Sequence, residues 1–121
     1  MKKLYVSVPV EGRTEEAIRA SIKKMQKIAE VIFDRELEVI ESVWNEDLEK
    51  SDIAGLARHI DAMKDADYFV GVNNIYNKYC DFEATVVHRF SIPATYVNAR
   101  EICPDMFDGK GENAPKGSWE F

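Results

Sequence analysis

"DYFVGV", residues 67–72, is a six-residue stretch with one charged residue and five apolar or small ones. A half-buried strand alternates apolar and polar side chains, so a run this continuous suits a strand covered on both faces, as in a parallel sheet. Working outward, "KLYVSVP" (3–9) is rich in β-branched and aromatic residues and stops at a proline, which reads as a first strand. "LEVIESVW" (37–44) and "IPATYV" (92–97) read as two more.

Helical patterns separate these strands. Ile18, Ile22, Met25, Ala29 and Ile32 step by 4, 3, 4 and 3, which predicts a helix reaching Phe33. Thr14 is its expected N-cap, and Glu15 and Glu16 favour the positive end of its dipole. A second helix is expected over about 52–65, capped by Ser51 or Asp52, with Ile53, Leu56, Ala57, Ile60 and Met63 inward. A third contains Glu83. Strands alternating with helices over 1–97 predict one small α/β domain. Right-handed crossovers make it a flavodoxin-like or Rossmann-like three-layer sandwich with a parallel four-stranded sheet, order 2-1-3-4. Residues 98–121 change composition and are expected to form an extended C-terminal tail. The tail keeps Trp119 and Phe121, which favours packing on the domain or on a neighbouring protomer.

The chain has 121 residues and a formal net charge of −6. A groove for long nucleic acid usually shows a basic surplus, so such a partner is not expected, whereas a small anionic ligand held by two or three basic groups stays open. The apolar run near the N-terminus is too short for a membrane span. Cys80 and Cys103 have no metal-ligand or disulfide spacing, which points to reduced thiols and a cytoplasmic location. No cofactor or metal is expected.

In an open parallel sheet the ligand crevice lies beyond the carboxyl ends of the strands. The loops leaving those ends are "PVEGRTEE", "WNEDLEKSD" and "NNIYNKYCDFE". They offer Pro9, Gly12, Arg13, Trp44, Asn74 and Tyr76 as ligand-contacting candidates. Gly12 and Arg13 would hold an anion at a helix start, against the plainer reading of Gly12 as a turn residue. Trp44 and Tyr76 are possible base-stacking rings, although packing is the commoner role of such aromatics. His59 falls off the apolar face of its helix, as a surface or packing residue or a proton donor. Glu83 stands in "YNKYCDFEATVVHRF" (76–90) among apolar neighbours. Position alone favours a first-turn capping role, with Asp81 as the cap just before it. The other reading is a carboxylate beside a cleft, as covalent glycosyl chemistry requires.

The order of motifs adds a resemblance to these readings. "LYVSVP" resembles the opening "IYLAGP" strand of the nucleoside 2-deoxyribosyltransferase-like superfamily. "RHIDAMKDADYFVGV" and "YCDFEATVVHRFSIPATYV" resemble its two later segments. The resemblance covers residues 3–97 and implies that Glu83 is the nucleophile, with Tyr5 beside it. It implies an N-glycosidase or deoxyribosyltransferase acting on a nucleoside or nucleoside 5′-monophosphate, in which Asp81 or His59 protonates the departing base. The sequence departs from the pattern at His59, where the family has a sugar-binding aspartate. Asp61 does not replace it, because two residues along a helix turn the side chain by roughly 200°. A catalytically inactive ligand-binding or sequestering protein on the same fold is the alternative, and an interaction module serving a protein partner is a third. A homodimer or larger homo-oligomer is expected in every case.

Overall fold

The computed structural model describes residues 1–40 and 52–107. The element order is β1 (Lys2–Val6), α1 (Glu15–Phe33), β2 (Leu37–Val39), α2 (Asp52–Met63), β3 (Tyr68–Asn73), α3 (Lys78–Arg89), β4 (Ala94–Asn98) and α4 (Ala99–Ile102). A single 3-10 turn, Pro104–Met106, follows. The four strands form one parallel sheet in the order β2-β1-β3-β4. The α/β sandwich and the strand order are those the sequence implies.

Apolar residues on alternate strand positions divide the core into two layers. Leu4, Leu37, Val70 and Val97 meet Met25 and Ala29 of α1 on one face, joined by Ile102 and Cys103. Tyr5 and Phe69 meet Met63 of α2 and Val87 of α3 on the other. β3 is covered on both faces, which explains why "DYFVGV" lacks alternation.

Local chemistry sets the helix boundaries. Thr14 caps α1 as expected, accepting a hydrogen bond from the Ala17 N–H, and Asp34 ends the helix at φ 55°. Asp34 fills the left-handed position that glycine usually takes. Ile32, expected to face inward, is 57% exposed. Phe33 and Ile28 pack against the core in that turn instead. On α2, Met63 is buried and Ala57 exposed, while His59, read as lying off the inner face, is buried. The N-cap of α3 is Asn77, whose side chain accepts from the N–H groups of Tyr79 and Cys80. Asp81 is therefore not the cap. Glu83 lies in the second turn, past the unpaired N–H groups, so the capping explanation for Glu83 fails.

Residues 98–107, the start of the expected tail, pack on the domain. Asn98 ends β4 and caps α4 by accepting from the Arg100 N–H, and Ile102 and Cys103 are buried in the core. The expectations for residues 41–44 of the second strand, for Ser51, and for Trp119 and Phe121 lie outside the described residues. Among the described residues no helix is long and apolar enough to cross a membrane.

Candidate active site

Parallel pairing brings the carboxyl ends of β1 and β3 side by side, with Val6 level with Val70. The Ser7 N–H donates to the Val70 carbonyl (2.9 Å), carrying the pairing one residue past the end of β1. Tyr5 and Ser7 are two residues apart, so their side chains share a sheet face, the one covered by α2 and α3. Glu83 of α3 is only 2% exposed and meets them there.

Three donors converge on the Glu83 carboxylate. The Tyr5 hydroxyl donates to Oε2. The Ser7 hydroxyl donates to Oε1 at 2.6 Å. His59 of α2 places Nδ1 3.0 Å from Oε2 and 3.4 Å from the Tyr5 hydroxyl. A carboxylate only accepts, and the single Tyr5 proton is already directed at Oε2. The network therefore assigns the His59 proton to Nδ1. The imidazole is further fixed by stacking on Tyr79, with centroids 5.3 Å apart and planes 21° apart. Tyr79 sits one helical turn before Glu83, so α3 supplies both the carboxylate and the ring that orients its histidine.

All four residues of the cluster are buried: Ser7 at 1%, Glu83 at 2%, Tyr5 at 7% and His59 at 8% exposure. Burying a carboxylate with no partner costs several kcal/mol, which this set of donors offsets. Their convergence from β1, α2 and α3 turns three separate elements into one polar centre. Cys80 lies against the same centre. Burial and the Glu83 charge push its thiol well above the ordinary range, and a hydrogen bond with Ser7 offsets only part of that.

The structure thus brings together Glu83, His59 and Tyr5 from the expected set. Asp81 is exposed and lies two positions before Glu83, on the other side of α3. It does not join the cluster. Arg13 is spoken for by the fold. Its buried guanidinium donates to the Pro9 carbonyl (2.8 Å), the Ser21 hydroxyl (2.7 Å) and both oxygens of Asp105 (2.9 Å each). This set clamps the β1–α1 loop to the segment after α4, so Arg13 serves packing in place of the open anion site expected of it. Pro9 is itself fully buried. Gly12, at φ 74° with open space around it, is the third residue of a turn closed by the Arg13 N–H donating to the Val10 carbonyl (3.2 Å). Asn74, at φ 66°, and Tyr76, 63% exposed, sit in the loop between β3 and α3. Trp44 lies outside the described residues.

Ser7 and Tyr79 were not foreseen. Ser7 had a legible signal, as the polar residue two positions from Tyr5 on a strand whose face is buried. Tyr79 had none, because its role depends on where α2 places His59. Among the described residues no group of three or more His, Cys, Asp or Glu side chains is arranged to hold a metal ion.

No protein-family model matches the chain, and comparison with curated proteins and with solved structures also gives no match. The functional reading therefore rests on this geometry and on the sequence resemblance.

Proposed function

We propose that this chain cleaves the N-glycosidic bond of a nucleoside or nucleoside 5′-monophosphate, with Glu83 as the nucleophile. One observation carries the reading. A buried carboxylate at the carboxyl ends of two adjacent parallel strands is held by Tyr5, Ser7 and His59 from two other elements. A nucleophile must be positioned to a fraction of an ångström, and donors from separate elements hold this carboxylate in one place.

The two carboxylate oxygens differ. Oε2 is held by donors on separate elements, Tyr5 on β1 and His59 on α2, whereas Oε1 accepts from the Ser7 hydroxyl alone. Oε1 is the oxygen to release for attack. It forms a bond to the anomeric carbon as the bond to the base nitrogen breaks, and the departing electron pair stays on the base. Solvent water, or His59, whose Nδ1 lies 3.0 Å from Oε2 and which takes a replacement proton from solvent, then protonates the base. Water attacks the glycosyl ester from the opposite side, giving the free sugar with net retention and restoring Glu83. A second base in place of water would make the protein a deoxyribosyltransferase.

A second reading, a ligand-binding protein that has lost the chemistry, is favoured by the occupancy of both Glu83 oxygens. Base release measured by chromatography on nucleosides and 5′-monophosphates, with and without an added free base, separates the two. Release by wild type but not by Glu83→Gln supports the enzyme, and dependence on the added base marks a transferase. Ligand-induced stabilisation that persists in Glu83→Gln without any release supports the binder.

A further inference from the structure

The outer face of α3 carries a pattern unrelated to the buried cluster. Lys78, Asp81, Phe82, Thr85 and Arg89 are all exposed. At 100° per residue they fall within a sector of about 100° on one side of the helix. Phe82 is 48% exposed, and Phe90, at the C-cap, is 75% exposed. Tyr76, just before the N-cap, is 63% exposed. The Thr85 hydroxyl donates to the Asp81 carbonyl of its own helix (3.1 Å). Its hydrogen bond is therefore satisfied within α3. Among the described residues, neither Asp81 nor Arg89 has an ion-pair partner.

We propose that this face is a twofold interface between two copies of this chain, with the two α3 helices packed antiparallel about Thr85. The charge order supplies the argument. The acid lies four residues before Thr85 and the base four residues after it. An antiparallel pair centred there sets Asp81 of each copy against Arg89 of the other. A twofold contact must be self-complementary, and this arrangement is. Asp81 at the N-terminal end and Arg89 at the C-terminal end also suit their own helix dipole. Phe82 then packs over the Thr85 and Arg89 positions of the second copy, and Phe90 reaches toward its first turn.

Area points the same way. With about 200 Å² per aromatic side chain, the exposed parts of Phe82, Phe90 and Tyr76 total on the order of 400 Å². That is roughly half of the ~800 Å² that each partner buries in a standard interface. The flanking polar residues of α3 contribute the rim. An unrelated apolar peptide would match the phenylalanines but has no use for the Asp81–Arg89 order.

The test is sedimentation equilibrium on the full chain, with circular dichroism and melting curves as the control for folding. Wild type is expected to be a dimer. Phe82→Glu and Phe90→Glu, both surface changes, are expected to yield folded monomers. Arg89→Asp alone sets like charges in opposition twice by symmetry and is expected to weaken the dimer about tenfold. Adding Asp81→Arg to Arg89→Asp recreates both pairs and is expected to restore most of that loss. A monomeric wild type overturns the proposal. So does a dimer that survives both glutamate substitutions, which would place the contact elsewhere. A double reversal no better than Arg89→Asp alone overturns the antiparallel arrangement. None of these readouts depends on Glu83 chemistry, so the interface and the proposed function stand or fall separately.

Discussion

His59 Nδ1 lies 3.0 Å from Glu83 Oε2, although the two residues are 24 positions apart on different helices. The contact is possible because α2 and α3 cover the same sheet face, beside Tyr5 of β1 and Ser7 just past its end. Removing either partner leaves a buried polar group of the other without its bond. His59→Phe is expected to cost about 1–3 kcal/mol of stability, and base release is expected to fall about 10- to 100-fold. Urea unfolding and initial rates check the two effects. His59→Gln retains a donor, so it is expected to recover part of the stability. Equal stability and rate in His59→Phe would mean that the histidine neither supports nor assists Glu83.

Tyr5→Phe and Ser7→Ala probe the two oxygens separately. Each removes one donor from the buried carboxylate, and each is expected to cost about 1–3 kcal/mol. Because both act on Glu83, the double variant is expected to depart from additivity by at least about 0.5 kcal/mol. Ser7→Ala is expected to retain more activity than Tyr5→Phe, because Oε1 must shed its hydrogen bond to attack. A double-mutant cycle by chemical denaturation, with rates on the same four proteins, tests both statements.

The fold was legible where periodicity alone decides it. The 3.6-residue stripe from Ile18 to Ala29, the Thr14 cap and the unalternating "DYFVGV" lead to the observed α1, β3 and strand order. Ile32 misled because the last turn of α1 turns Phe33 inward, which only tertiary packing selects. Of the candidate site, the resemblance set Tyr5 beside Glu83, whereas His59 was read as lying off the inner face and its contact with both was not legible. Asp81 misled because the helix starts at Lys78, four residues earlier than a cap at Asp81 would have it. Arg13 misled because its Asp105 partner is 92 positions away, in a segment read as tail. Such long-range partners leave no local signal.

The Arg13–Asp105 pair gives stability a pH dependence. Hydrogen bonds from Arg13 hold the Asp105 carboxyl below its ordinary value of 3.8. A group with a lowered folded-state value stabilises the fold above the unfolded value and loses that contribution as pH falls through the folded one. Thermal stability is therefore expected to drop more steeply below about pH 4 in wild type than in Asp105→Asn. Arg13→Ala also strips the Pro9 carbonyl and Ser21 of their donor, and is expected to cost about 1–3 kcal/mol at neutral pH. Melting curves from pH 2 to 7, in the range of the usual carboxylate titration, make the comparison. Parallel curves would mean that the pair does not contribute through Asp105.

Gly71 is needed for space. A Cβ there would stand 2.9 Å from Phe69 Cε1 and 3.0 Å from Tyr96 Cε1, inside the layer beneath α2 and α3. Gly71→Ala is expected to destabilise by about 1–3 kcal/mol through overpacking. Denaturant midpoints at unchanged slope would confirm it, and an unchanged midpoint would show that the rings move aside freely.

The thiols are expected to be inert in the native protein. Burial pushes both Cys80 and Cys103 above their ordinary range, and Glu83 adds to the effect at Cys80. Little thiolate is present at pH 8, so iodoacetamide labelling followed by mass spectrometry should be slow when folded and fast in denaturant. Fast native labelling of Cys80 alone would show that the polar centre opens to solvent on the labelling timescale.

Base release by wild type and by Glu83→Gln, on nucleosides and their 5′-monophosphates, tests the central claim most directly. The substitution keeps the shape of the side chain and removes its charge and nucleophilicity. Wild type is expected to release free base and form a glycosyl adduct on Glu83 detectable by mass spectrometry, with Glu83→Gln at least about 1,000-fold slower. Equal release by both proteins, or none by either across the whole panel, would contradict the assignment of Glu83 as nucleophile.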